Sequence, residues 1–379
     1  MRVAVDVRVL KNKKKTGVEE YTIQLLRHLL KVDSRNEYSL FYSSIFSINS
    51  KLKNIFGSTV PIRHVHFPNK ILSLLWKFPG LPKANWLVSG GVDIFLSPHI
   101  NILPVLDCKK IIVVHDLAFL RLPEFFTRWQ LFWHRYMANA SIPQADHIIA
   151  VSDSTKRDLV AFYEISEENI SVIYPGVSME LYPFSEKQKQ SFRKKVGLPD
   201  RYILSLATLE PRKNIVSVVH AFALLKEHYD IGDLKLVLVG KKGWLYKDIF
   251  KLIKNYGLEQ DILYRGYIPE DEKNGYLSSA SCFVYPSFYE GFGFPPLEAF
   301  AVGTPVITSN TSSLPEVVGS AAITVDPLDV PALSLAMRKI CFDRVFAQDL
   351  RDKGLVRVRK FQWHKVGGDV LRVLEGDSV

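Results

Sequence analysis

The 379-residue chain is poor in cysteine. Its three cysteines, Cys108, Cys282 and Cys341, lie far apart and form no C-x-x-C pair. Disulfide frameworks and structural zinc sites need cysteines at short, recurring spacings, so the sequence argues against both. This usage is typical of a reducing compartment, and we predict a cytoplasmic location.

Long apolar runs are missing as well. No stretch reaches the ~18 consecutive apolar residues of a membrane-spanning helix. The first eight residues alternate charge with valine, which indicates a strand and not a signal peptide. With 47% hydrophobic residues over this length, the composition predicts a globular protein of two domains.

Negative charge is scarce in the first part of the chain. Residues 1–145 hold 20 Lys and Arg against 9 Asp and Glu, whereas the remainder holds 29 against 30. Such a basic part is able to meet nucleic acid, anionic lipid or an anionic substrate. Because no nucleic-acid-binding module is present, we expect no nucleic acid among the partners.

The most informative stretch is residues 283–308. An apolar strand runs into a loop that carries Glu290, Gly291 and Gly293, and a short helix holding Glu298 follows. A glycine loop before a helix start suits a phosphate, because free N–H groups and the helix dipole face the ligand. Carboxylates accept hydrogen bonds from sugar or ribose diols. The alternative is a buried turn with two solvated carboxylates.

Two further strand ends carry chemistry. A predicted strand over 202–207 precedes Arg212, Lys213 and a predicted helix over 214–226. Two cations beside a helix start suit a diphosphate, through charge-assisted hydrogen bonds. His115 ends a predicted strand over 110–115, a place where open α/β sheets bind ligands, although a lone histidine there is more often structural.

Several motifs together resemble a known family. The motifs Pro-Ser-x-Tyr-Glu-Gly-Phe-Gly, Glu-Ala and Gly-Thr-Pro-Val-Ile surround Glu290 and Glu298, and they resemble the E-x7-E signature of the retaining GT-B glycosyltransferases of family 4 (glycosyl transferases group 1). The resemblance runs from residue 1 to about 340 and is close to the mannosyltransferase-like subgroup. The chain departs from the family where Ala207-Thr208 replaces a usual Gly-Arg, and where Gly17 stands alone instead of a glycine pair.

The resemblance implies an α/β fold of the GT-B type, with two Rossmann-like domains facing a cleft. The N-terminal, acceptor-binding domain would span residues 1–179, with a C-terminal helix at about 361–379 crossing back to it. Residues 180–200 would form a linker, and residues 201–360 the domain that binds the nucleotide-sugar donor.

The resemblance also implies residue roles. Glu290 and His115 would be catalytic, Glu298 would bind the donor ribose, and Ile268 would lie against the nucleobase. The diphosphate would contact these residues: Arg212, Lys213, Gly17, Gly291, Phe292 and Gly293. We expect no cofactor and no metal, since the sequence holds no D-x-D triplet and the paired cations would neutralise the leaving diphosphate.

The implied function is retaining transfer of a hexose, mannose from GDP-mannose in the first instance, to a lipid-linked or growing glycan of a surface polysaccharide. Two rivals stay open: a sugar-nucleotide epimerase of the same fold, and a non-catalytic nucleotide-sugar-binding partner subunit. The intact E-x7-E argues against the first. The presence of Arg212, Lys213 and Glu290 argues against the second.

Two stretches, 70–87 and 125–137, mix aromatic with basic residues. A helix that packs in the core is the reading we favour for 125–137. The alternative is a surface that contacts the membrane, since Trp, Phe and Arg are typical of interfacial helices. On that alternative the protein would bind peripherally to an anionic membrane at the inner face of the cell membrane.

Overall fold

The computed structural model of the chain describes residues 1–11, 17–58, 60–68, 91–101, 107–177 and 180–377. Its contacts divide the chain into two units. Unit 1 comprises Met1–Gly176 with Gln362–Val379, and unit 2 comprises Val177–Phe361. The second crossing between the units therefore falls beside Phe361, where the sequence places the start of the returning segment.

Unit 1 is built on a seven-stranded parallel sheet. Its elements are, in chain order, β1 (Arg2–Asp6), α1 (Gly17–Val32), β2 (Glu37–Ser43), α2 (Asn49–Phe56), β3 (Ile62–Val65), β4 (Ile94–Ser97), β5 (Lys109–Val114), α3 (Ala118–Arg121), α4 (Arg128–Ser141), β6 (His147–Ala150), α5 (Asp153–Tyr163) and β7 (Ile170–Val172). The strand order is β3-β2-β1-β4-β5-β6-β7. The order reverses between β1 and β4, and Val3 of β1 pairs in parallel with Tyr38 of β2 on one side and with Ile94 of β4 on the other.

Unit 2 repeats this plan with six parallel strands. Its elements are α6 (Glu186–Val196), β8 (Tyr202–Leu206), α7 (Ile215–His228), β9 (Lys235–Val239), α8 (Lys247–Asn255), β10 (Ile262–Tyr264), α9 (Glu270–Ser279), β11 (Cys282–Tyr285), α10 (Phe294–Ala301), β12 (Val306–Ser309), α11 (Leu314–Val318), β13 (Ala322–Val325), α12 (Val330–Phe342) and α13 (Arg344–Val358). The order β10-β9-β8-β11-β12-β13 reverses between β8 and β11. Strands such as β11 are buried along their whole length, as parallel sheets covered by helices require.

The predicted linker, residues 180–200, lies within unit 2. Its helix α6 begins at a capping box of Ser185 and Gln188. Phe192 of α6 makes an edge-to-face ring contact with Tyr276 of α9, with centroids 5.5 Å apart. This apolar contact could not be predicted from the charged sequence of α6, because one aromatic ring, that of Phe192, makes it.

The last helix, α14 (Trp363–Glu375), returns to unit 1 and packs along α1. Gly367 makes this close approach: a Cβ built there would lie 3.0 Å from the backbone carbon of His28. An ion pair of 2.7 Å joins Arg35 to Glu375 near the end of the helix. The contacts explain why the final segment belongs to the first unit.

Helix α4 covers most of the stretch 125–137, and the expectation that this stretch packs in the core holds only for one side of it, where Phe126 and Leu131 are partly buried against the core of unit 1. Only Ala138 and Ser141 of α4 are buried. Trp129 and Phe132 are 67% and 56% exposed. The other aromatic-basic stretch, 70–87, lies outside the described residues.

Candidate functional site

The topology of unit 2 places a site where its strand order reverses. Ligands of open α/β sheets bind beyond the carboxyl ends of the strands at such a point, because the loops there diverge and leave a crevice. In unit 2 these are the loop 207–214 after β8 and the loop 286–293 after β11. The two loops carry Arg212, Lys213 and Glu290.

The loop after β8 is held in a fixed shape. Pro211–Lys213 forms a single 3-10 turn, and Asn214 follows it in the left-handed region at φ 56°. The Asn214 amide donates to the carbonyls of Pro286 and Pro327, at 3.2 and 2.7 Å. These bonds connect the loop that carries Arg212 and Lys213 to the loop after β11 and to the loop after β13.

Glu290 is the acceptor on which the two loops converge. Its Oε1 accepts hydrogen bonds from Lys213 Nζ at 2.5 Å and from Tyr285 Oη at 3.0 Å. Its Oε2 accepts from Arg212 Nη1 at 3.2 Å. Arg212 also donates to Glu210 Oε1 at 3.0 Å. The sequence-predicted Glu290, Arg212 and Lys213 thus form one cluster.

The electrostatics keep Glu290 ionised. Burial alone would raise its pKa, but the charges of Lys213 and Arg212 outweigh burial and lower the pKa to about 2. A carboxylate that stays ionised is able to accept from sugar hydroxyls and to stabilise positive charge that develops nearby. Glu290 therefore suits a transition state with cationic character.

The glycine loop and the start of α10 follow directly. Gly293 caps α10 at φ 119°, a conformation that other residues rarely adopt. The Ser313 hydroxyl donates to the carbonyls of Glu290 and Phe292, at 2.9 and 2.6 Å. The Phe292 ring packs against Phe294 and Phe361. The side chain of Phe292 is therefore engaged in ring packing, and the predicted contact of this loop with a phosphate stays a prediction.

Glu298 does not join the Glu290 cluster. Its Oε1 accepts from Lys273 Nζ at 2.7 Å, and its side chain is 17% exposed. Lys273 also pairs with Glu270. Burial alone would lower the pKa of Lys273, but the two glutamates outweigh it and raise the pKa. Glu298 is thus a partly accessible carboxyl group on α10 that is paired with Lys273.

The loops after β9 and β10 extend the same edge of the sheet. Gly240 N–H donates to the Gly266 carbonyl at 2.7 Å, and Leu209 N–H donates to the Lys241 carbonyl at 2.8 Å. Ile268 is half-buried beside Tyr267, whose ring is 66% exposed. Ile268, the residue predicted to contact the nucleobase, therefore lies on the same row of loops as Arg212 and Lys213.

Unit 1 places His115 directly after β5. Its Nε2–H donates to the Pro98 carbonyl at 2.9 Å, and its ring meets Tyr21 edge-on at 4.6 Å. Burial lowers its pKa, which favours the neutral imidazole. Asp116 accepts a hydrogen bond from Ala118 N–H at 3.1 Å. Gly17 begins α1, and residues 12–16 before it lie outside the described part of the chain.

The crevice of unit 1 holds a group that sequence reasoning missed. Asp6 and Arg8 are fully buried and form an ion pair of 2.7 Å at the end of β1. Burial of His99 next to this pair lowers its pKa to about 4. The signal was present, because a charged residue at the end of an otherwise apolar strand needs a buried partner. Tyr285 and Glu210 gave no such signal, since nothing in the sequence shows what their side chains contact.

The cluster in unit 2 has two cations and a helix start, which suit an anionic leaving group, and an ionised carboxylate, which suits positive charge that develops as this group departs. Within the described residues, no group of three or more His, Cys, Asp or Glu side chains is placed to hold a metal ion. Of the helices in the described ranges, none has the length and apolar character needed to cross a membrane.

Two family models match the chain. The model of Glycosyltransferase Family 4 matches residues 15–181, and the model of Glycosyl transferases group 1 matches residues 186–355. The two matches fall on unit 1 and unit 2.

Individual proteins resemble the chain as well. The O-antigen chain mannosyltransferase B of Escherichia coli is 28% identical over 359 residues, covering 92% of this chain and 93% of that protein. The serotype-specific mannosyltransferase WbdA of Escherichia coli is 32% identical over 259 residues, but the match spans only 32% of its length. Among solved structures, sucrose-phosphate synthase from Thermosynechococcus elongatus shares the fold, with a TM-score of 0.75, 20% identity and 99% coverage of both chains.

Proposed function

Because the chain belongs to glycosyltransferase family 4, with the GT-B fold of two parallel-sheet Rossmann-like domains and hexosyltransferase activity, we propose that it transfers mannose from GDP-mannose with retention of configuration. Nucleotide-sugar donors and glycan acceptors are the substrates of such enzymes. The choice of mannose is supported by the names of the similar proteins, an O-antigen chain mannosyltransferase and a serotype-specific mannosyltransferase. The acceptor in this proposal is a growing or lipid-linked glycan of a surface polysaccharide.

One observation carries the proposal: Arg212, Lys213 and Glu290 converge at the point where the strand order of unit 2 reverses. In the proposed reaction, the bond between the anomeric carbon and the diphosphate breaks. The acceptor hydroxyl oxygen bonds to that carbon from the same face, and its proton passes to a phosphate oxygen of the leaving group. Arg212 and Lys213 neutralise the diphosphate, while Glu290 stabilises the positive charge on the sugar.

The other predicted roles stay part of this proposal. Glu298 offers a partly accessible carboxyl group for the ribose diol, Ile268 lies where a nucleobase would follow along the loops, and His115 offers a neutral imidazole. The proposal needs no metal, since the two cations supply the positive charge that a bound Mg²⁺ would otherwise provide.

The test combines Glu290→Ala with a panel of GDP-, UDP- and dTDP-sugars, each assayed with and without excess EDTA. We expect turnover with GDP-mannose that survives EDTA, and a loss of roughly 10² or more in Glu290→Ala, the size seen when a transition-state partner is removed. Binding of the panel is measured by calorimetry. Full activity of a folded Glu290→Ala protein, or a strict need for added Mg²⁺, contradicts the mechanism.

The same assay separates the rivals. An epimerase would convert the donor sugar without any acceptor, so a control reaction without acceptor must leave the donor unchanged. A non-catalytic partner subunit would bind the donor and release no GDP, with or without acceptor. Glycan extension that depends on the acceptor is the result we expect.

We also propose that unit 1 docks on an anionic membrane surface through α4. This helix presents four mutually contacting aromatic rings: Trp129, Phe132, Trp133 and Tyr136. Arg128 and Arg135 belong to the same helix. Exposed aromatic rings together with basic residues are what an interfacial helix needs, and each Lys or Arg near such a surface contributes about 1 kcal/mol.

A further inference from the structure

Tyr285 lies in the middle of the Glu290 cluster, although its place at the end of β11 is that of a core residue. Its side chain is buried, with 2% of the residue exposed. Its Oη accepts a hydrogen bond from Lys213 Nζ at 2.6 Å and donates one to Glu290 Oε1 at 3.0 Å. Lys213 Nζ itself reaches Glu290 Oε1 at 2.5 Å, so the three groups form a closed triangle.

The ring of Tyr285 is fixed by its surroundings. The Thr308 hydroxyl of the neighbouring strand donates to the Tyr285 carbonyl at 2.8 Å. The ring stacks on Phe283 with centroids 6.0 Å apart. Burial raises the pKa of Tyr285 well above its ordinary value, so the phenol keeps its proton at neutral pH. Its one O–H donor therefore remains directed at Glu290.

The interactions of Arg212 and Lys213 with Glu290 are exchanged more easily than the hydrogen bond from Tyr285. Arg212 and Lys213 face two carboxylates, Glu290 and Glu210, so the charges of this cluster balance. A diphosphate brings additional negative charge to the same two cations. Any turn of Lys213 toward the diphosphate removes a donor from a buried carboxylate, which is costly unless another donor stays in place.

Building on the function proposed above, we propose that Tyr285 is a positioning residue that holds Glu290 Oε1 in place while Lys213 is drawn to the donor diphosphate. Tyr285 touches neither the sugar nor the phosphate in this arrangement and acts through Glu290. The phenol is neutral and attached to a buried strand, so it stays while the flexible Lys213 side chain moves.

The test begins with Tyr285→Phe, which removes one hydroxyl and keeps the shape of the ring. We expect kcat for mannosyl transfer to fall roughly tenfold or more, because a hydrogen bond to a charged group is lost. The Kd for GDP, measured by calorimetry, should stay within about threefold of the parent value, since both cations remain. The matched control is Tyr202→Phe, which deletes another buried tyrosine hydroxyl of unit 2, bonded to the Tyr276 carbonyl at 2.7 Å at the start of β8, and should change neither quantity.

A double-mutant cycle with Glu290→Ala then asks whether Tyr285 acts through Glu290. In the Glu290→Ala background, Tyr285→Phe should lower kcat less than about twofold. The double variant lacks the Glu290 carboxylate, so it contains no buried carboxylate that has lost its hydrogen bond from Tyr285. It therefore serves as the folded comparison if the variant Tyr285→Phe alone melts early. Parental kcat in Tyr285→Phe, or an equal loss in both backgrounds, overturns the proposal.

Failure of the proposed function is recognised separately. If the parent protein transfers no sugar from any donor of the panel, the assignment as a mannosyltransferase is wrong, whatever Tyr285 does. If the parent transfers mannose and Glu290→Ala does not, but Tyr285→Phe equals the parent, only the role of Tyr285 is wrong.

Discussion

In the function proposed above, Glu290 competes with the donor for the same two cations. Lys213 and Arg212 hold its carboxylate at 2.5 and 3.2 Å, and a diphosphate must draw on the same positive charge. The competition has opposite consequences for binding and for chemistry. In the proposed reaction, Glu290 weakens binding of the diphosphate, but it stabilises the positive charge that develops on the sugar as the bond to the diphosphate breaks.

Replacing Glu290 with Gln should therefore tighten binding of free GDP while slowing transfer. We expect GDP affinity to rise by up to roughly tenfold, since a hydrogen bond to a charged group is worth about 1.5–3 kcal/mol and part of that interaction is released to the diphosphate. Calorimetry with GDP and a steady-state assay with GDP-mannose measure the two effects on one sample.

The matched variant for this prediction carries both Arg212→Ala and Lys213→Ala. Its affinity for GDP should be at least tenfold weaker, because the charge-assisted hydrogen bonds to the phosphates are lost. Weaker GDP binding in Glu290→Gln than in the parent contradicts the competition. Unchanged binding in the double variant shows that the phosphates lie elsewhere.

Part of this site was predictable from residue types alone. Glu290 comes from one loop and Arg212 and Lys213 from another, yet each loop follows a buried parallel strand, and parallel strands end at one edge of the sheet. Tyr285 was not predictable, because an aromatic residue that ends an apolar strand has the same pattern as a core residue. The ion pair of Glu210 was likewise not predictable, since its partner Arg212 lies only two positions away in an irregular loop.

At the scale of elements, α4 shows where composition is ambiguous. Aromatic residues alternate with Arg and His along this helix, and both a core helix and an interfacial helix have that mixture. The ambiguity is resolved by tertiary contacts, which bury only its last turn. The cap was predictable in kind, because Thr127 and Gln130 form a capping box at the helix start.

The exposed rings of α4 carry the membrane prediction. Trp129→Ser combined with Phe132→Ser should weaken binding to vesicles of anionic phospholipid at least roughly tenfold, since each large apolar side chain gains about 1.5–3 kcal/mol on burial. Co-sedimentation with vesicles at low salt measures the bound fraction. Binding of the parent should fade in 1 M salt, where the Debye length is ~3 Å.

The control for the vesicle experiment is Val345→Ser. Val345 is 83% exposed on α13 of unit 2, so its replacement removes exposed apolar surface away from α4. It should bind vesicles like the parent. If the parent fails to pellet with anionic vesicles at low salt, the docking proposal is wrong, and the basic residues of unit 1 are left to an anionic acceptor.

At the scale of the whole molecule, the sequence predicted two Rossmann-like domains, and two parallel sheets confirm them. Short edge elements such as β3 and β13 escaped prediction, because three or four residues carry too little pattern. The return of the last helix depends on contacts between the two ends of the chain. Gly176, from the middle of the chain, also lies close to this helix: a Cβ there would lie 2.4 Å from the Trp363 nitrogen.

The stability of unit 1 should therefore depend on the far end of the chain, and two adjacent glycines of α14 test this. Gly367→Leu forces a side chain against the α1 backbone, where even a Cβ lies 3.0 Å from His28, and should destabilise unit 1 by about 1–3 kcal/mol. Gly368→Leu meets open space and should instead stabilise by up to about 1 kcal/mol through helix propensity. Urea unfolding measures both. Equal effects of the two substitutions would mean that α14 does not pack on α1.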